Sequence, residues 1–220
     1  MIIVTFPSSV LNCLKNEMQI EMDHFFKKYD SFNDRFKATA NGLLINMLIA
    51  SKTSSSFSKD VTFYEDGTHK QNEFINAMFS CFEQLNISKK LDAYKDIYEH
   101  EKRGKSGWFP IVIISSPVDD YSEQPAEITV YRGCSLKSFE DNSYRNRQSW
   151  TTDFDTAKEF AFNRYGFNKK DRVVITTTVS NSDIFWIRAG EREVVLNPRF
   201  TPLSDVIKLD YEQCNRDGQI

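Results

Sequence analysis

Gly190-Glu191-Arg192-Glu193-Val194-Val195-Leu196 sets two carboxylates around one arginine, directly before an apolar run. In an extended strand successive side chains point to opposite faces, so Glu191 and Glu193 share a face and Arg192 takes the other. Two acids on one face at the mouth of a strand can work as a pair. One can orient a ligand hydroxyl while the other holds or moves a proton. Read alone, the fragment is more simply a solvated strand edge with alternating charge. The segments upstream decide between the two.

The stretch sits in a half of the chain dominated by short strands. Ile128 to Tyr131, Val173 to Val179, Ile184 to Trp186, Val194 to Leu196 and Val206 to Leu209 are short runs rich in β-branched residues. Phe109 to Ile114 is a further β-branched run, followed by a polar loop with two prolines from Ser115 to Pro125. One helix is expected among them, from Asp155 to about Tyr165, with Ala157, Phe160 and Ala161 on one face. Before Gly104 the pattern is different. Val10, Leu14, Met18, Met22, Phe25 and Phe26 predict a helix from Ser8 or Ser9 to about Tyr29. Phe36, Ala40, Leu44, Met47 and Leu48 predict a second from about Asn33. Phe74, Ile75, Met78, Phe79 and Phe82 predict a third over about Lys70 to Gln84, and a more charged fourth follows from Ser88 to about Lys102. These stripes are core-forming faces. Helices first and strands second argue an α+β architecture, with a helical region over 1–104 and a second part over 105–220 that together form one compact unit.

Composition narrows the function. The chain has 220 residues, 40% of them hydrophobic and 18 of them Phe, enough for a sizeable core. A net charge of -3 excludes a global basic field that would draw the protein onto nucleic acid, though a local patch is compatible with it. Cys13, Cys81, Cys134 and Cys214 are far apart with no C-x-x-C, so neither a zinc site nor a redox pair is indicated. They are expected as free buried thiols in the cytoplasm. The apolar start is too short for a secretory core, and there is no run long enough for a membrane span.

Familiar nucleotide motifs fail. Gly104-Lys105-Ser106 resembles the end of a phosphate-binding loop, but the glycine required five residues before Gly104 is Glu99. No G-x-G-x-x-G occurs. His24, His69 and His100 lie in the helical half without metal spacing, so no metal is expected.

Two further segments bear on the first. In Val130-Tyr131-Arg132-Gly133 a strand ends on an arginine, whose planar fork can grip phosphate, and on a glycine, which lets a flat ring approach the backbone. In Gln148-Ser149-Trp150-Thr151-Thr152, alternation puts Ser149 and Thr151 on one face and packs the indole of Trp150 behind them. Thr152 or Asp153 can cap the helix that follows.

Arginine on one strand, Ser-x-Thr before a helix, then Glu-x-Glu on a later strand resembles the R-S-E class of mono-ADP-ribosyltransferases. Tyr131-Arg132-Gly133, Ser149-Trp150-Thr151 with Ala157 beyond it, and Glu191-x-Glu193-Val194-Val195 carry the resemblance, which covers about residues 127–210. The Ser-Trp-Thr form is similar to a subset in bacteria and their phages, and to toxins of toxin–antitoxin systems that include an RNA-modifying enzyme. The resemblance implies two small packed β-sheets forming an NAD cleft, behind an N-terminal helical region.

It also implies roles. Arg132 would hold the NAD phosphates, and Gly133 would meet the nicotinamide amide through its backbone. Ser149 would support Glu193 and the nicotinamide ribose, Thr151 would shape the pocket, and Tyr131 and Arg164 would add contacts to NAD. Glu193 would hydrogen-bond the ribose 2′-hydroxyl, a bond that strengthens as the ribose becomes an oxocarbenium-like cation. Glu191 would face the acceptor. The acceptor is expected to be RNA, with protein arginine as the alternative and an antitoxin protein as a candidate partner. Arg164, Lys169, Lys170 and Arg172 could meet phosphates of NAD or RNA, with Trp186, Tyr165 and Phe167 available to stack on bases. Val130 to Arg172 holds 9 basic and 6 acidic residues, a mild excess that permits RNA binding without demanding it. A catalytically silent binding module of the same fold and an NAD glycohydrolase are the competing readings.

Overall fold

The computed structural model describes residues 5–53, 67–88, 92–100, 107–164, 166, 168–188 and 192–216. The chain divides into two units, Met1–Ile113 and Ile114–Ile220.

The described part of the first unit is helical: α1 (Ser8–Asn12), which runs into a π-helical turn over Cys13–Glu17, α2 (Met22–Tyr29), α3 (Asp34–Thr53), α4 (His69–Ser88) and α5 (Ala93–Glu99). The single helix expected from Ser8 to about Tyr29 is therefore two. Gln19 takes a left-handed backbone with φ 51, and Ile20 pairs with Val112 in an isolated antiparallel bridge. The Glu21 carboxylate then accepts from the amides of Asp23 at 3.1 Å and His24 at 2.6 Å, which caps α2. The apolar stripe continues across the break because both pieces face one core: Val10, Leu14, Met18 and Phe25 are all fully buried. Among the described residues, the Phe109–Ile114 run supplies that one rung, to Ile20. Phe25 and Tyr29 lie tilted and Phe36 edge-on against Phe74, and Trp108 closes on Phe74 at 5.2 Å. The one hydroxyl in this cluster is satisfied, since Tyr29 donates to Asn41 Oδ1 at 2.8 Å.

The second unit carries the sheet: β1 (Glu127–Ser135), α6 (Leu136–Glu140), β2 (Ser149–Thr151), α7 (Phe154–Phe162), β3 (Arg172–Ser180), β4 (Ile184–Arg188), β5 (Glu193–Leu196), β6 (Ile207–Leu209) and α8 (Tyr211–Arg216). The architecture is α+β. Instead of the two small sheets expected, the strands form one antiparallel sheet of six, ordered β4-β5-β2-β1-β3-β6. The reason is β2, which is paired on both sides. It lies along β5 through three residue pairs but meets β1 through one, Tyr131↔Thr151. Beyond that rung β1 pairs with β3 along its whole length, from Glu127↔Ser180 to Ser135↔Arg172.

Residues on both sides of the rung share one cluster, with Val130, Val173 and Ile175 from one half and Trp150, Ile184 and Val194 from the other. On the opposite face, Ala157, Ala161 and Phe162 of α7 pack with Val174 and Cys214. The short helices α6 and α8 were not expected. At five and six residues they are too short to display a helical period.

Candidate functional site

One rung of the sheet runs through four strands. Tyr131 of β1 lies opposite Thr151 of β2, Thr151 opposite Glu193 of β5, and Glu193 opposite Arg188 of β4. Directly opposed residues in antiparallel strands project to the same face. Alternation adds Gly133 and Ser149 to it, and α7 lies on this side of the sheet. A cleft results, lined by Tyr131, Arg132, Gly133, Ser149, Thr151 and Glu193, with Ala157 and Phe160 of α7 as its other wall. Its volume is about 150 Å³. That is small beside pockets that enclose a whole drug-sized ligand, and it has room for one ring-sized group.

Each wall has a local cause. Gly133 is a glycine because α7 rests on it: a Cβ there would lie 2.5 Å from the Ala161 amide nitrogen and 2.6 Å from the Ala157 carbonyl oxygen. The missing Cβ thus makes room for the helix, and Gly133 itself remains part of the cleft lining. Asp153 starts that helix. Its carboxylate accepts from the Thr156 amide at 2.8 Å, and its other oxygen meets Arg192 Nη1 at 2.9 Å. The Thr156 hydrogen bond, with help from Arg192, holds the Asp153 carboxyl below the usual carboxylate range.

Arg132 shares a strand face with Val130 and Cys134, away from α7, yet reaches the cleft. Beyond Tyr131↔Thr151 the β1–β2 ladder does not continue. The Arg132 guanidinium fills the gap, Nη1 donating to the Ser149 carbonyl. Side chain thus replaces backbone across the opening, and Arg132 is held where a bound anion could meet it. Ser149 is exposed and Trp150 is buried behind it, as the alternation predicted. The Thr151 hydroxyl is used internally: it donates to the Arg192 carbonyl at 3.2 Å and accepts from the Asp153 amide at 3.0 Å. It therefore ties β2 to the turn that delivers Glu193. Arg192 occupies the left-handed region with φ 47, and its carbonyl also accepts from the Thr152 amide at 3.1 Å.

Two residues in this unit escaped the sequence reading. Gln148 is buried and uses its whole amide group: Nε2 donates to the carbonyls of Ile114 and Leu196, each at 2.8 Å, and Oε1 accepts from the Ile114 amide at 2.9 Å. It fixes the start of β2 next to Ser149. The second is Arg188. Glu193 is only 6% exposed, and its Oε2 accepts from Arg188 Nη1 in an ion pair. The guanidinium also lies 5.5 Å from the Trp186 ring. The only sequence signal for the pair is a basic residue at the end of the strand preceding Glu193.

The expected phosphate-binding cluster is dispersed. Arg172 is committed to the end of α7, donating from Nε to the Ala161 carbonyl at 3.0 Å and from Nη2 to the Phe160 carbonyl at 3.2 Å. Lys169 donates to the Tyr211 hydroxyl at 3.0 Å, which lowers the affinity of that phenol for its proton. Arg164 is exposed and stacks over the Phe160 ring at 4.2 Å, at the cleft rim rather than among its lining residues. Lys170 is exposed. Trp186 supports Arg188. Glu191, Tyr165 and Phe167 lie outside the described residues.

Chemically, the cleft offers a buried carboxylate, an exposed serine hydroxyl, two aromatic walls from Tyr131 and Phe160, and one guanidinium. That set can flank a planar ring, accept a hydrogen bond from a ligand hydroxyl, stabilise a nearby positive charge and hold an anion. No helix among the described residues is long and apolar enough to cross a membrane, and no cluster of metal-ligating side chains occurs among them. No protein-family model, curated protein or solved structure matches the chain.

Proposed function

We propose that this chain is an NAD-dependent mono-ADP-ribosyltransferase with the ADP-ribosyltransferase fold in its second unit, transferring ADP-ribose to a macromolecular acceptor, RNA by preference. The observation that carries this reading is the meeting of Arg132, Ser149 and Glu193 at one cleft, from three different strands, in the chain order of the R-S-E class. In this reading the nicotinamide ring lies between Tyr131 and Phe160, the ribose hydroxyls face Glu193 and Ser149, and the phosphates pass Arg132 on their way to open surface. The bond from nicotinamide nitrogen to ribose C1′ breaks, its electron pair leaving with nicotinamide. Glu193 stabilises the cation left on the ribose, and a nucleophile of the acceptor bonds to C1′ and loses its proton. The role is that of an intracellular toxin or phage-conflict effector, the class that the Ser-Trp-Thr form resembles.

The second reading, transfer to protein arginine, rests on Glu191, because a cationic guanidinium needs a nearby carboxylate before it can attack. The test is incubation of the whole chain with labelled NAD and separate pools of single-stranded RNA, DNA and protein, with a small arginine derivative as competing acceptor. Label in RNA is expected. Label in the arginine derivative alone would replace RNA by protein, and NAD left intact in every pool would reject the enzyme reading.

A further inference from the structure

We infer that Arg188 is the positioning residue for Glu193, an inference that rests on the function proposed above. Three observations converge on it. Glu193 is buried, and a carboxylate taken out of water needs a partner. Arg188 stands directly opposite on β4 and donates to Oε2. The guanidinium is itself steadied by the Trp186 ring two residues earlier, so it is held from two sides.

Glutamate has three side-chain torsions, and a ribose hydroxyl must be met at hydrogen-bond distance as charge develops. A grip on one oxygen sets the plane of the carboxylate and so the direction in which the group faces the cleft. Displacement on the order of 1 Å in such a group costs about 10²-fold in rate. The opposing effect is repulsion between Arg188 and the cation forming on the ribose. Burial decides the balance. The Arg188 side chain is 28% exposed and that of Glu193 is 7% exposed, so water screens the guanidinium more than the carboxylate. Arg188 also does not line the Glu193 cleft. It lines a neighbouring one of about 290 Å³, over Ile128, Ile187 and Val194. Orientation therefore outweighs repulsion.

The experiment is steady-state NAD cleavage by wild type, R188A, R188K, E193Q and R188A/E193Q, with R188A repeated in millimolar guanidinium chloride. R188A is expected to lose about tenfold to hundredfold in kcat with KM for NAD unchanged. Lysine keeps the charge without the planar fork, so R188K falls between R188A and wild type. Free guanidinium restores part of the R188A activity, and R188A causes no further loss once Glu193 is Gln. Wild-type kcat in R188A, a loss confined to KM, absence of guanidinium rescue or equal losses in both backgrounds would each overturn the role. Should R188A not fold, R188K decides: a several-fold fall in kcat at constant KM supports the role and wild-type kcat ends it. A wild type that cleaves no NAD would instead reject the enzyme reading itself, which separates the two failures.

Discussion

Gly133 and Ala157 approach so closely that a Cβ on the glycine would lie 2.6 Å from the Ala157 carbonyl oxygen. The atoms in the way belong to the backbone of α7, so they cannot swing aside as a side chain would. Gly133→Ala must push α7 off β1. We expect a loss of about 1–3 kcal/mol, the range for overpacking a filled interior, read as a lower urea midpoint. NAD affinity should fall with it, because Ala157 and Phe160 of the same helix wall the cleft. An unchanged midpoint would mean that α7 does not rest on this glycine.

Glu193→Gln separates charge from shape. The amide still accepts a hydrogen bond but no longer balances a cation. NAD binding is expected to persist while turnover falls on the order of 10²-fold or more. In the proposed reading Arg132→Ala should do the reverse at first, raising KM, since its contacts to the NAD phosphates would be made before the reaction as well as during it. Calorimetric NAD binding alongside single-turnover cleavage tests both. Wild-type turnover in the glutamine variant would remove Glu193 from the chemistry.

Glu191→Ala distinguishes acceptors. With protein arginine as the target, the variant should keep cleaving NAD to free ADP-ribose but transfer none, because nothing then relieves the charge on the guanidinium. With an RNA base as the target, Lys169→Ala together with Lys170→Ala should weaken RNA labelling and flatten its dependence on salt. Labelling of a small arginine derivative by that double variant should stay near the wild-type level. Labelled transfer at two salt concentrations measures each effect.

Asp153→Asn tests the anchor of α7 by pH. Asparagine still caps a helix but carries no charge for Arg192. The folded Asp153 carboxyl is held below its ordinary range by the Thr156 hydrogen bond and by Arg192. A carboxyl depressed on folding contributes stability above its unfolded value of about 3.9, and that contribution disappears as pH falls through the lower folded value. The wild type should therefore exceed the variant in unfolding midpoint near neutral pH, with the gap closing in acid below about pH 4. A gap that is constant with pH would show that the Asp153 charge adds nothing.

Much of this protein is legible along the chain because its signals are local. Apolar residues at helical spacing place α3 and α4, β-branched runs place β1, β3, β4 and β5, and alternation around Trp150 puts the indole inward and Ser149 outward. A cap at Thr152 or Asp153 is legible from position alone, and the structure uses Asp153. The order of Arg132, Ser149 and Glu193 is likewise in the sequence. What the sequence does not contain is partner choice across distance. The helix broken at Gln19 reads as continuous because both fragments present the same stripe to one core, and only the bridge from Ile20 to Val112, more than ninety positions away, reveals the break. The single sheet depends on β2 finding β1 at one rung and β5 at three. That α7 rests on Gly133 is not legible along the chain, and Arg172 reads as a cation open to phosphate until its guanidinium is seen closing the end of that helix. Arg188 is five residues from Glu193 in sequence, yet their pairing is set by the register of β4 on β5. A hydrophobic period specifies which way a side chain points, whereas the residue it meets is specified by how strands align once the chain has folded.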